Sequence, residues 1–115
     1  MQIDPIRLDQ SISHVALSGR LDAAGLQGQD IKFTGFTASR HKPALVDLYE
    51  VEFIASLGVG MLISCAKSLT LHGAGLVLLN PSGPVDQVLR ALGIDQVIPI
   101  ATDLDEGLRL LGVAA

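Results

Sequence analysis

The chain has 115 residues, 49% of them hydrophobic and 17% charged, which excludes a disordered segment and predicts a single domain, 1–115, around one core. Its formal net charge is −4, from 12 acidic and 8 scattered basic residues, which excludes a nucleic-acid partner gripped by its phosphates. Three Phe, one Tyr and no Trp leave the core to Leu, Ile, Val and Ala. A lone Cys, Cys65, rules out an internal disulfide and fits a reducing compartment. The N-terminus carries Asp4 and Pro5 where a signal peptide needs a basic patch and an apolar run. The apolar stretches 57–63 and 73–79 fall far below the ~18 residues of a membrane span. The expectation is a cytoplasmic chain with no membrane insertion.

Gln2–Leu8 mixes polar and apolar residues in rough alternation and predicts a strand, with Pro5 suited to a sheet edge. Residues 14–17 follow a short polar turn and end at Ser18-Gly19, which predicts a hairpin. Residues 23–39 hold Gly25, Gly28 and Gly35, each costing about 1 kcal/mol against Ala in a helix. Leu26, Ile31 and Phe33 share no single period there, so a short or frayed helix is expected. Residues 44–49, interrupted by Asp47, and Leu76–Leu79 read as buried strands.

Between them, Val59, Leu62, Ile63, Ala66 and Leu69 recur at helical spacings and predict a helix over 57–71. Lys67 near its end suits the helix dipole, and Gly73 suits the C-terminal cap. Residues 84–92 open on Pro84, stop before Gly93 and carry Val85, Val88, Leu89 and Leu92 as an apolar stripe. A final short strand is read at 97–100, against the presence of Pro99. Residues 103–111 open with Asp103, Asp105 and Glu106 and set Leu104, Leu108 and Leu111 on one side. Strands alternating with helices behind a hairpin predict an α/β fold, a mixed sheet of four to five strands against about four α-helices.

The residues from Phe53 to Lys67 carry the chemistry. Ser56 lies between an apolar strand and an amphipathic helix, where a hydroxyl is either a helix cap or a phosphate acceptor. Gly58 and Gly60 lower helix propensity in the first turn and leave backbone amides uncovered for an anion or a partner surface. A phosphate on Ser56 would add about −1.5 to −2 charges where the helix dipole favours them.

Leu45-Val-Asp-Leu-Tyr-Glu-Val-Glu-Phe-Ile-Ala-Ser-Leu-Gly-Val-Gly60 resembles the signature of the STAS domain, specifically the anti-sigma factor antagonists. Leu17-Ser-Gly-Arg-Leu-Asp22 is similar to the family's Gly-Glu-Leu-Asp turn, and Gly75-Leu-Val-Leu-Leu-Asn80 to its fourth strand. The resemblance implies a STAS-like sheet and a regulator that works by partner switching. On that footing Ser56 matches the serine phosphorylated by an anti-sigma factor serine kinase. The unphosphorylated antagonist binds the kinase, phosphorylation breaks the complex, and a serine phosphatase restores it. The expected docking surface comprises Asp22, Ala55, Ser56, Leu57, Gly58 and Val59. Ala55 stands where the family usually has Asp, and Leu57 where it has Ser or Thr. The lost acid eases a phosphate at Ser56 or removes a contact that positions the serine in the kinase; both readings stand.

Two rival roles attach to the same resemblance: a constitutive adaptor subunit of a lipid-transport ATPase assembly, and a nucleotide-binding sensor. Against the sensor, Ile63 takes the third glycine position of a dinucleotide loop and Asn80 the place of its ribose-binding acid. His14, His41 and His72 are far apart in sequence and lack metal-ligand spacing, so no metal or cofactor is assigned. Cys65 reads as a packed small hydrophobe, and Asp22 as either a contact residue or an N-cap. No acid–base pair is legible, so no catalytic residue is assigned and no enzyme is expected. An exposed N-terminal strand would permit a weak homodimer.

Overall fold

The computed structural model describes residues 1–115 and pairs five strands into one mixed sheet in the order β1 (Gln2–Leu8), β2 (Ser13–Leu21), β3 (Ala44–Ile54), β4 (Leu76–Leu79) and β5 (Ile100–Ala101). β1 is antiparallel to β2, and every later pairing is parallel. The parallel strands are joined by crossovers bearing α1 (Ala23–Leu26), α2 (Asp30–Phe36), α3 (Ser56–Leu71) and α4 (Gly83–Ala91), and α5 (Leu104–Leu111) follows β5. There are thus five α-helices, because the region read as one frayed helix forms two. Gly28 takes a φ of +76°, a left-handed step that closes α1 before α2 begins.

Strand alternation sorts the apolar residues into two layers. On one face Val15, Leu17, Val46, Leu48 and Leu78 meet Leu26, Phe33, Leu62, Leu69 and Leu89 of the first four helices in a 22-residue core. On the other face Leu45, Val77 and Leu79 meet Leu108 of α5, with Ile12 and Ala101. Each fully buried Leu or Phe stabilises the fold by about 1.5–3 kcal/mol. This two-sided burial explains why β4 is a continuous apolar run rather than an alternating one.

Three strand boundaries differ from the sequence reading. β2 and β3 run on to Leu21 and Ile54, past the expected ends at residues 17 and 49, since their parallel ladder continues from Ser13↔Ala44 to Leu21↔Ile54. The strand expected at 97–100 shrinks to Ile100–Ala101. Ile94–Gln96 forms a 3-10 turn, Val97 N donates to Ile94 O at 2.9 Å, and Pro99, having no N–H, gives the sheet only its carbonyl, to Leu78 N at 2.9 Å. At the opposite edge Pro5 sits in β1 beside a register shift between Pro5 and Arg7, which blunts the exposed strand.

Candidate functional site

Because β2 and β3 are parallel, their C-terminal ends lie side by side. Leu21 pairs with Ile54, and Ala55 N donates to Leu21 O at 3.0 Å. The turn entering α1 and the turn entering α3 are thereby held together at the C-terminal ends of these two inner strands.

Asp22 is the N-cap of α1, its Oδ1 accepting from Gly25 N at 2.8 Å and its Oδ2 from Arg20 Nε at 2.8 Å. The Gly25 amide first, and the Arg20 guanidinium second, hold this carboxyl below the usual carboxylate range. The N-cap reading of Asp22 is thus the one the structure shows, in a residue that also borders the junction. Arg20 also lies over the Phe53 ring at 4.4 Å, a cation–π contact between the neighbours Arg20 and Phe53 of the parallel ladder. The sequence reading singles out neither residue; Arg20 near the end of β2 and Asp22 just beyond it are a local signal, but the Phe53 partnership depends on register.

The capping reading of Ser56 is corrected. Ala55 occupies the N-cap of α3, with extended backbone and no side-chain cap bond, and Ser56 is the first helical residue. The Ser56 hydroxyl makes no hydrogen bond within the chain; the junction is tied instead by backbone bonds, Val59 N to Ala55 O at 3.0 Å among them. No acid stands in the first turn of this 16-residue helix, so the partial positive charge of its N-terminus is unmatched. An exposed hydroxyl is therefore presented where an anion would be stabilised.

The expected docking residues separate by burial. Ser56 and Leu57 are exposed, Leu57 by 58%, while Asp22 and Ala55 are half-buried. Gly58 and Val59 are buried and face the sheet, contrary to their expected place on the surface. A Cβ on Gly58 would stand 2.6 Å from Leu21 O and 2.8 Å from Leu21 Cβ, so the missing side chain is what lets α3 press against β2. Val59 packs in the main core. Both shape the site from beneath.

A groove of about 470 Å³ runs from Ser56 along α3 toward α2, lined by Leu26, Asp30, Leu57, Gly60 and Ser64 among others. Cys65 forms part of its wall; burial pushes its thiol up, and it contacts Thr37 Oγ1 at 3.5 Å. His41 and His72, distant in sequence, stack at 3.6 Å between ring centroids, and no three His, Cys, Asp or Glu residues gather to hold a metal. No helix is long and apolar enough to cross a membrane.

Residues 6–107 match the family model of the STAS domain. A Thermotoga neapolitana relative named an anti-sigma factor antagonist is 28% identical over 76 residues, 66% of this chain and 67% of its own. A Mycobacterium paratuberculosis anti-sigma factor antagonist superposes with a TM-score of 0.81 at 21% identity, covering 96% of this chain and 95% of that one. Unphosphorylated SpoIIAA, an anti-sigma factor antagonist, superposes with a TM-score of 0.74 at 21% identity over 99% of this chain and 100% of its own. SpoIIAA of Bacillus in its phosphorylated form gives 0.65 at 20% identity over 95% and 99%. These structural likenesses establish a shared fold.

Proposed function

The chain belongs to the STAS domain family, and from that premise we propose that it is an anti-sigma factor antagonist whose docking to an anti-sigma factor serine kinase is controlled by phosphorylation of Ser56. The observation that carries the reading is the exposed, unbonded Ser56 hydroxyl at the uncapped start of α3. A serine committed to capping would have to surrender that bond to be modified; this one has none to lose.

In the proposed cycle Ser56 Oγ attacks the γ-phosphorus of ATP held by the kinase. The bond to ADP breaks, and the hydroxyl proton passes to a base of the kinase. Catalysis rests with the partner. On this chain the phosphate gains the dipole and free amides of the α3 N-terminus, so the fold tolerates it. The docked surface does not: exposed Leu57 would lie in a desolvated contact, and about two negative charges beside it oppose that burial. A serine phosphatase would reverse the step by hydrolysing the phosphoserine. The setting of such a cycle is the cytoplasm, where ATP and the kinase meet.

The test is site mapping by mass spectrometry after incubation with ATP and a candidate anti-sigma kinase, together with binding of the two proteins before and after. A single phosphate on Ser56, none on the Ser56→Ala variant, and loss of the complex on phosphorylation are expected. A stable complex with no phosphate, unchanged in Ser56→Ala, would refute the switch and assign the chain to the constitutive adaptors. Since Ser56 Oγ bonds to nothing, Ser56→Ala should alter unfolding stability by less than about 0.5 kcal/mol, so lost modification will not reflect lost fold.

A further inference from the structure

A second concave surface lies on the other flank of α3. It has a volume of about 560 Å³ and is walled by Ile63, Ala66 and Leu71 of α3 and by Val97 and Ile98 after the 3-10 turn. Lys67 and Thr70 are its only polar side chains. Leu71 is 86% exposed and Val97 69%, so two large aliphatic groups stand in water at its rim. Lys67 is exposed and makes neither an ion pair nor a side-chain hydrogen bond, and Lys32 and Lys42 likewise make neither.

We propose that this groove binds a free linear alkyl carboxylate, the chain lying along the aliphatic walls and the carboxylate meeting Lys67 Nζ. The volume lies within the roughly 300–1,000 Å³ typical of small-ligand sites. No aromatic ring lines the groove, so stacking with a flat ligand has no counterpart, while branched aliphatic walls suit a flexible chain. Lys67 is the one charged side chain lining the groove, and it selects an anionic head. Burial of Leu71, Val97 and the alkyl chain supplies the affinity, at about 25 cal/mol per Å² of apolar surface removed from water.

The probe is decanoate, titrated below its micelle concentration against the 15N-labelled full chain and followed by amide chemical shifts. One saturable site is expected, with shifts centred on Ile63, Lys67, Leu71 and Val97. Lys67→Gln should weaken decanoate about threefold, the scale of an exposed ion pair, and leave 1-decanol unaffected. Val97→Asp, at a position 69% exposed, should abolish binding while leaving the unfolding transition in place. The proposal is overturned by shifts that do not saturate or lie elsewhere, or by equal affinity for decyltrimethylammonium. It is likewise overturned if the groove responds only to phosphatidylglycerol vesicles, which would make it a membrane-docking face. Sedimentation velocity covers the remaining occupant: a dimer that Val97→Asp converts to monomer would mean a second copy fills the groove.

Discussion

Ser56 stands one position inside its helix, and that single step decides its chemistry. At the N-cap its oxygen would turn inward to an amide; as the first helical residue it faces solvent while Ala55 takes the cap. His14 shows the reverse, a polar group held inward. It is buried on β2, and its Nε2 has no hydrogen-bond partner. Burial lowers its affinity for a proton, with Asp47 pulling the other way and Arg7 adding to the decrease. A lowered folded-state value means that the unfolded chain binds the proton first. Stability from His14 is therefore present above the ordinary value of about 6.5 and lost as pH falls from there toward the folded-state value. Urea unfolding should show a drop between about pH 7 and pH 5 that His14→Gln flattens. Asp9 and Asp22 are also lowered, by hydrogen bonds from Arg7 and the Gly25 amide respectively, but their contributions are lost only at more acidic pH, below the ordinary carboxylate range.

The elements around the site are bound by backbone contact. α3 approaches β2 so closely that Gly58 has room for no side chain, and the nearest obstacle is the Leu21 carbonyl, which cannot rotate away. Gly58→Ala should therefore cost about 1–3 kcal/mol by overpacking, against the gain in helix propensity expected at a free position. Chemical denaturation would measure it, and unchanged stability would mean that α3 can slide. In sequence Gly58 read as a loosened helix start open to a partner; the close approach that explains it belongs to a contact with a strand 37 positions upstream, Leu21 to Gly58. The α5 boundary was legible, by contrast, because its signal is local. Asp103 Oδ1 accepts from Glu106 N at 2.8 Å, and Glu106 Oε1 accepts from Thr102 N at 3.1 Å.

At the scale of the molecule, the C-terminal ends of β2 and β3 and the turns that follow them gather Arg20, Asp22, Phe53, Ser56 and Leu57, from two segments far apart in sequence. Leu57 is the exposed aliphatic group nearest Ser56 in the chain, and burying it in a docked complex would remove apolar surface from water at about 25 cal/mol per Å². On the proposed reading, Leu57→Ala should weaken kinase binding about tenfold or more in a titration while leaving the unfolding transition in place. Equal binding of Leu57→Ala and the parent would remove Leu57 from the interface. The α3 helix then separates two grooves, one running from Ser56 toward α2 and one beside Lys67 toward Val97, so the proposed docking surface and the proposed alkyl-carboxylate site would occupy distinct surfaces of one element.

The order of strands and helices, the apolar faces of the long helices, the buried run of β4 and the serine at the start of α3 all followed from the sequence. Side-chain alternation and helical spacing are periodicities carried by neighbouring residues, and they need no distant partner. The tertiary structure alone decided how far β2 and β3 extend, that Arg20 meets Phe53, that Gly58 and Val59 lie beneath the site, and that Ser56 keeps a free hydroxyl. Those outcomes depend on parallel register and on the depth at which a helix seats on a sheet. Both are set by pairings across many residues, which no local pattern encodes.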